Sequence, residues 1–163
     1  MSEYKITIDQ IETAKLFFRD SSIDTLTAVS RKINKEQPNF TAVVLALEKH
    51  GLNRIIVEDL LETFFIIYYI QTEFNKKSIP TISSGQLIKN VKWFGQFIEY
   101  FNQEKRDIAV DLSQINFLRD EIVLNFAAET LRNLFGDTLK IPKEVIFAYF
   151  AVLKGIEIGA EKS

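Results

Sequence analysis

The stretch TFFIIYYIQT, from Thr63 to Thr72, contains ten residues and no charge. At about 100° per residue, its apolar side chains would point in every direction around a helix, so no side remains for water. Such a helix lies inside a protein or inside a membrane, and this run is too short for a membrane, which needs roughly 18 to 20 apolar residues. We therefore expect it at the centre of a globular domain.

The same stretch has two interpretations as secondary structure. Phe, Ile and Tyr all favour β-strands, which makes a buried strand the alternative. The longer segment Arg54–Phe74, however, contains no Gly, Pro or Asn and includes the helix-favouring VEDLLE of residues 57–62. We predict a central helix over residues 54–74, capped by Asn53 and ending near Asn75–Lys77 with two lysines at its negative pole.

The composition of the chain limits its class. The 163 residues suit one domain over residues 1–163, and 6 Gly with 3 Pro are too few for a turn-rich all-β fold. Lys+Arg 20 against Asp+Glu 22 leaves no basic field for nucleic acid, and Cys 0 excludes disulfides and thiolate metal sites. The start, MSEYKITIDQ, lacks the apolar core of a signal peptide. We expect a cytoplasmic protein without a membrane or nucleic-acid partner.

Helical periodicity recurs along the chain and predicts an all-α fold, a single-domain helical bundle of about seven helices around the central helix. The segment Tyr4–Ile8 alternates instead, which fits either a short N-terminal strand or an extended lead-in. Ser22 and Pro38 are residue types that begin helices, and Ser83 with Gln86 matches a capping box. The predicted helices span about residues 9–19, 23–33, 38–50, 54–74, 84–101, 111–135 and 142–153, the sixth beginning at Asp111 or Ser113 and the seventh stopping at Lys154–Ile156.

The fifth predicted helix carries the clearest candidate for a binding surface. Its apolar residues follow a 4-3-4-3 spacing, as in a coiled-coil seam, and are Leu87, Val91, Phe94, Ile98 and Phe101. On the opposite side, Trp and Tyr beside lysines resemble interface hot spots, although stacking on single-stranded nucleic acid or cover by another helix are alternatives. The candidate partner-binding residues are Lys89, Lys92, Trp93, Gln96 and Tyr100.

A second candidate site lies on the central helix. Adjacent tyrosines need hydrogen-bond partners when buried, and a ligand between helices is one way to supply them. A carboxylate buried beside them would have a raised pKa and suit acid–base chemistry, whereas a solvated carboxylate near the helix start is the structural alternative. The candidate pocket residues are Glu62, Phe65, Tyr68 and Tyr69, with Phe64 beside them.

The single histidine, His50, does not indicate a metal site. It falls in the last turn of the third helix, where the macrodipole favours a positive imidazole. Without a second His or any Cys, a metal would need carboxylates from elsewhere in the fold. We therefore predict no metal, no cofactor and no catalytic residue.

The second and third helices also match the geometry of a helix-turn-helix, with residues 34–37 as the turn. The side that would face DNA offers one cation, and phosphate contacts supply most of the non-specific affinity for DNA, so we expect no useful binding. That side carries Asn39, Thr41, Ala42, Ala46 and Lys49.

These patterns leave three functions open, in this order. The first is a non-enzymatic helical protein-interaction module, an adaptor or oligomerisation domain that binds a protein partner or a second copy. The second is a small-molecule-binding or catalytic bundle with a tyrosine-lined pocket, and the third is a nucleic-acid binder. A large cavity holding both tyrosine hydroxyls and a carboxylate of raised pKa would favour the second function over the first.

Overall fold

The computed structural model describes residues 5–103, 117–136 and 141–163, with only the backbone described for residues 100–103. Within these ranges the chain is all-α, as predicted, and its helices share one buried core. The helices are α1 (Ile8–Asp20), α2 (Ile23–Glu36), α3 (Pro38–Lys49), α4 (Arg54–Tyr69), α5 (Ser84–Gln103), α6 (Glu121–Phe135) and α7 (Lys143–Glu161).

Helix α4 is the central helix, as its apolarity on every side predicts. All residues from Thr63 to Tyr68 are buried, and α4 packs against α1, α2, α3, α6 and α7. Asn53 caps its beginning by accepting a hydrogen bond of 2.7 Å from the backbone N–H two residues further on. The helix continues into a π-helical turn, Ile70–Phe74, and the chain leaves it at Lys76, whose φ is 55°. The predicted span of 54–74 is confirmed.

Helices α2 and α3 are separated by one buried residue, Gln37. The predicted four-residue linker over 34–37 is wrong because α2 continues to Glu36. The Gln37 amide donates to the Pro80 carbonyl at 2.9 Å, and its side-chain oxygen accepts from the Ile82 backbone N–H at 2.8 Å. These bonds hold the connection between α4 and α5 against the start of α3.

Helix α7 is longer than predicted, because Gly155 does not end it and the helix continues to Glu161. The glycines of α7 provide space for the segment that precedes α5. A Cβ at Gly155 would lie 3.0 Å from side-chain atoms of Ile82, and a Cβ at Gly159 would lie 2.6 Å from the Ile79 Cγ2. The expected stop at Lys154–Ile156 is therefore wrong, since the glycine there serves close packing rather than termination.

Helix α6 begins at Glu121 rather than at Asp111 or Ser113, both of which lie outside the described residues. Asp120 caps it, accepting bonds from the backbone N–H groups of the second and third helical residues at 3.0 and 3.3 Å. Its other carboxylate oxygen accepts from the Ile6 N–H at 2.7 Å. Residues 5–7 are thus an extended lead-in, and no strand occurs in the described part of the chain.

Aromatic rings fill much of the core. Phe40 contacts Tyr68 edge-to-face at a centroid distance of 5.6 Å, and Phe94 stacks on Phe150 at 5.1 Å. Such pairs add roughly 0.5–1.5 kcal/mol beyond their burial. Among the described helices, none has the length and apolarity to cross a membrane.

Candidate functional site

Helix α5 has a buried side and an exposed side, as its spacing predicts. Its inner residues Leu87 and Phe94 are buried, and the helix packs mainly on α7. The Ser83 hydroxyl accepts from the Gln86 N–H at 3.1 Å, which fixes where the helix begins. The opposite side, hereafter the α5 outer face, comprises Ile88, Lys89, Lys92, Trp93 and Gln96, all of them exposed.

The side chain of Trp93 lies at one edge of the α5 outer face. Its ring meets Phe117 edge-to-face at a centroid distance of 5.4 Å, and the Lys154 ammonium lies 5.0 Å from the ring centroid. Even so, 47% of Trp93 is exposed, and Ile88 at the other edge is 56% exposed. One side of the indole is thus held by packing while the other faces solvent. Tyr100 is the fifth predicted binding residue, and its side chain is not among those that the structure describes.

Two lysines, Lys89 and Lys92, lie between these apolar edges. Among the described residues, no ion pair engages Lys89 or Lys92. Glu99 is exposed on the same side, two turns beyond Lys92. The half of the α5 outer face nearer the start of the helix is therefore basic, with an apolar side chain at each edge.

The four residues predicted to form a pocket on α4 line different surfaces. Glu62 and Phe65 border a shallow cleft of about 220 Å³ beside Phe18, whereas Tyr68 borders a cleft of about 430 Å³ beside Glu36. The Tyr68 hydroxyl donates to the Glu36 Oε1 at 3.1 Å, and burial raises the pKa of this hydroxyl to about 12.

Tyr69 belongs to a third environment, because it stacks on Phe17 at a centroid distance of 4.8 Å. Burial raises its pKa, and Glu73 raises it further. Burial also raises the pKa of the Glu62 carboxyl, with a further contribution from Asp59. The two tyrosines and Glu62 thus lie in three different environments rather than around one cavity.

The structure reveals a buried polar cluster that sequence reasoning missed, formed by Lys154, Glu157 and Asp120. Lys154 is 4% exposed and donates to the Phe117 carbonyl at 2.9 Å and to the Glu157 Oε1 at 2.8 Å. The Glu157 Oε2 accepts from the backbone N–H groups of Arg119 and Asp120 at 2.9 and 3.2 Å. The signal in the sequence was a Lys–Glu pair three residues apart inside an apolar helix.

A cavity of about 410 Å³, hereafter the Asp120 cavity, adjoins this cluster. Its apolar wall comes from Ile67, Val123, Leu153 and Ile156, and its polar lining includes Lys5, Gln71, Arg119, Asp120, Glu157 and Glu161. Burial raises the pKa of the Asp120 carboxyl, although three backbone N–H bonds act in the opposite direction. No buried side-chain nitrogen or oxygen of the described residues lacks a hydrogen-bond partner, so the cluster is internally satisfied.

The candidate helix-turn-helix surface is partly occupied by the protein itself. Asn39 donates from its amide to the Ile82 carbonyl at 2.8 Å, and Thr41 donates to the Asn34 side chain at 2.7 Å. Lys49 and His50 are exposed at the end of α3. Of the polar residues proposed to read DNA, two thus have partners within the chain.

Metal ligands do not converge within the described ranges, where no group of three His, Asp or Glu side chains is placed to hold an ion. Comparison of the chain with protein-family models, with curated proteins and with solved structures found no match. Its function must be argued from its own residues.

Proposed function

We propose that this protein is a non-enzymatic, cytoplasmic interaction module whose α5 outer face binds a protein partner or a second copy of the chain. The proposal depends mainly on the exposure of Trp93. This tryptophan is half-exposed and lies beside two lysines that have no ion-pair partner in the described part of the chain.

Several physical features of this face support binding. Tryptophan is among the residues that dominate binding energy at interfaces, because it buries a large rigid surface at little entropic cost. Contacts with Phe117 and Lys154 hold the ring, so a partner need not immobilise it. Ile88 offers a second apolar contact, and the lysines between the edges can steer an acidic partner.

The proposal is tested by capture from native lysate, with the purified chain as bait. Three baits are compared: the wild-type chain, the variant Lys89→Glu/Lys92→Glu, and the variant Ile23→Ala, which trims a side chain that is 82% exposed on α2. Exposed lysines without ion-pair partners contribute little to stability, so we expect all three to unfold at similar urea concentrations.

We expect at least one protein, including the chain itself, to be captured by the wild type and by Ile23→Ala and to be lost with Lys89→Glu/Lys92→Glu. Each captured protein is then purified and its affinity for the three baits is measured directly. If the same proteins bind all three baits equally, the α5 outer face is not the interaction surface.

The second candidate function is binding of a small molecule in the Asp120 cavity. Its volume of about 410 Å³ lies in the range of ligand pockets, about 300–1,000 Å³. Two cations also line it, and Glu157 and Glu161 already have cationic partners. The Asp120 carboxylate beside the apolar wall is therefore the group that a small amine with an apolar body would meet.

This candidate is tested with benzylamine as the probe and ligand-detected magnetic resonance as the readout. The variant Val123→Phe would fill the cavity, since Val123 lines it and is 5% exposed. Binding that disappears in this variant supports the cavity as a ligand site. Absence of binding to the wild type, or equal binding to a folded variant, counts against it.

A further inference from the structure

A groove runs between α1 and α6, both of which pack beside α4. Two adjoining cavities of about 450 and 280 Å³ form it, and residues of α1 and α6 line both. Ile66 and Thr63 of α4 and Phe126 of α6 provide buried or half-buried surface along it, and the exposed Leu16 stands on its α1 side. This α1–α6 groove has apolar side chains among polar ones, and it is long enough along two helices to receive a third helix.

Acidic side chains dominate the uncompensated charge of the α1–α6 groove. Asp59, Glu62 and Glu129 line it, and no ion pair of the described residues engages any of them. The two cations of the groove already have acidic neighbours. The Lys15 Nζ lies 3.8 Å from the Glu12 Oε1, and the Arg19 Nε lies 2.9 Å from the Asp20 Oδ1.

The environment of Glu62 shows that this negative charge is crowded. Burial raises the pKa of its carboxyl, and the neighbouring Asp59 raises it further. A cation bound in the groove would relieve both effects by replacing lost hydration and offsetting the like charge. The groove thus combines a mixed polar and apolar lining with three carboxylates that a basic helix would neutralise.

We propose that the α5 outer face of one copy docks in the α1–α6 groove of a second copy. This rests on the proposed function, for which it names the partner. Lys89 and Lys92 lie three residues apart and so point from the same side of α5, where they would meet Glu62 and Glu129. Ile88 and Trp93 at the edges of the face would contact the apolar side chains of the groove, such as Phe126. A second copy is the occupant that charge complementarity favours, because both surfaces belong to one chain.

The proposed contact would build assemblies larger than a dimer. The face and the groove are different surfaces, so the contact is head-to-tail and each copy retains one free face and one free groove. Rings or open chains would grow with concentration rather than stop at a two-fold dimer. One helix in one groove is a small interface, for which dissociation constants of roughly micromolar or weaker are expected.

The test is sedimentation velocity over a concentration series. The wild type should sediment faster as concentration rises, and the effect should weaken near 1 M salt, where charges beyond about 3 Å are screened. Two charge-reversed variants should each stay monomeric, with self-association at least about tenfold weaker. The face variant is Lys89→Glu/Lys92→Glu, and the groove variant is Glu62→Lys/Glu129→Lys.

Mixing these variants gives the decisive result. The groove variant retains a basic face and the face variant retains an acidic groove, so an equimolar mixture should recover association and contain the two variants in equal numbers. The reversed acidic face and the reversed basic groove are also complementary, so the mixed complexes should grow with concentration as the wild type does. This recovery also shows that the variants are folded. The control Lys35→Glu/Lys49→Glu reverses two other exposed lysines and should associate like the wild type.

The remaining outcomes separate the two proposals. If the wild type stays monomeric at every concentration, or if the mixture fails to form a complex, docking between copies is overturned. If the face variant loses association while the groove variant keeps it, the α5 outer face remains an interaction surface and the groove is not its receptor. If the wild type is monomeric but a different protein binds the α5 outer face, the proposed function stands without a second copy.

Discussion

Replacing Gly159 by alanine tests the packing of α7 against the segment before α5. The new Cβ would lie 2.6 Å from the Ile79 Cγ2, closer than real Cβ contacts. Overpacking of this kind costs about 1–3 kcal/mol, whereas the gain in helix propensity is at most about 1 kcal/mol and smaller in the last turns of a helix. We expect a net loss of about 1–2 kcal/mol in the free energy of unfolding.

The assay is urea denaturation followed by circular dichroism. A loss of that size lowers the midpoint by roughly 0.5–1 M at typical urea dependences. Gly95→Ala is the matched control, because its Cβ would lie 3.4 Å from the Phe147 Cε2, an ordinary contact. At this position the higher helix propensity of alanine should outweigh any cost of packing and stabilise the protein by roughly 0.5–1 kcal/mol.

The contact partner is identified by a double-mutant cycle with Ile79→Ala, which removes the methyl group that the new Cβ would meet. The two substitutions should then be less destabilising together than the sum of their separate effects, by at least about 0.5 kcal/mol. Ile79→Val keeps both Cγ positions and should give little rescue. If Gly159→Ala stabilises the protein as much as Gly95→Ala does, the close approach of Ile79 to α7 is refuted.

Three further substitutions probe the core, the polar cluster and the groove. Ile67→Ala should cost about 2–5 kcal/mol in unfolding free energy, since Ile67 is 2% exposed on the central helix; an unchanged midpoint would contradict that position. Lys154→Ala should cost about 3–5 kcal/mol by leaving Glu157, whose side chain is 12% exposed, without its cation, and Lys154→Ala/Glu157→Gln should recover part of that loss. Glu62→Gln should stabilise the monomer at neutral pH, because the raised pKa of Glu62 means that its charged form is disfavoured in the fold. That advantage should shrink as the pH falls through the raised pKa and vanish below the ordinary value of 4.5; an advantage independent of pH would contradict this origin.

The sequence was most informative where periodicity alone decides burial. Every residue from Phe64 to Ile70 is apolar, so a helix over this stretch must be surrounded by protein and therefore central. In α5, the spacing of the apolar residues distinguishes the buried side from the exposed side. Both features follow from local geometry, which is why neither needed tertiary information.

The predicted helix boundaries were wrong where several residues of the sequence could begin or end a helix equally well and tertiary contacts decide between them. Asp111, Ser113 and Asp120 are all residue types that cap helices, and α6 begins after Asp120, whose carboxylate also binds the Ile6 N–H. Gly155 could equally end a helix or make room for a neighbour, and only the position of Ile82 decides. The sequence likewise could not show that Glu62 and Glu129, 67 residues apart, line one groove.

The interaction role of the α5 outer face is tested most directly by acrylamide quenching of Trp93, the only tryptophan in the chain. In dilute solution its half-exposed ring should be quenched readily. As the concentration of the chain rises, or when a captured partner is added, the quenching constant should fall and the emission should shift to the blue. The variant Lys89→Glu/Lys92→Glu should stay quenchable throughout. If Trp93 of the wild type is equally quenchable at every concentration and with every partner, nothing docks on this face and the account is wrong.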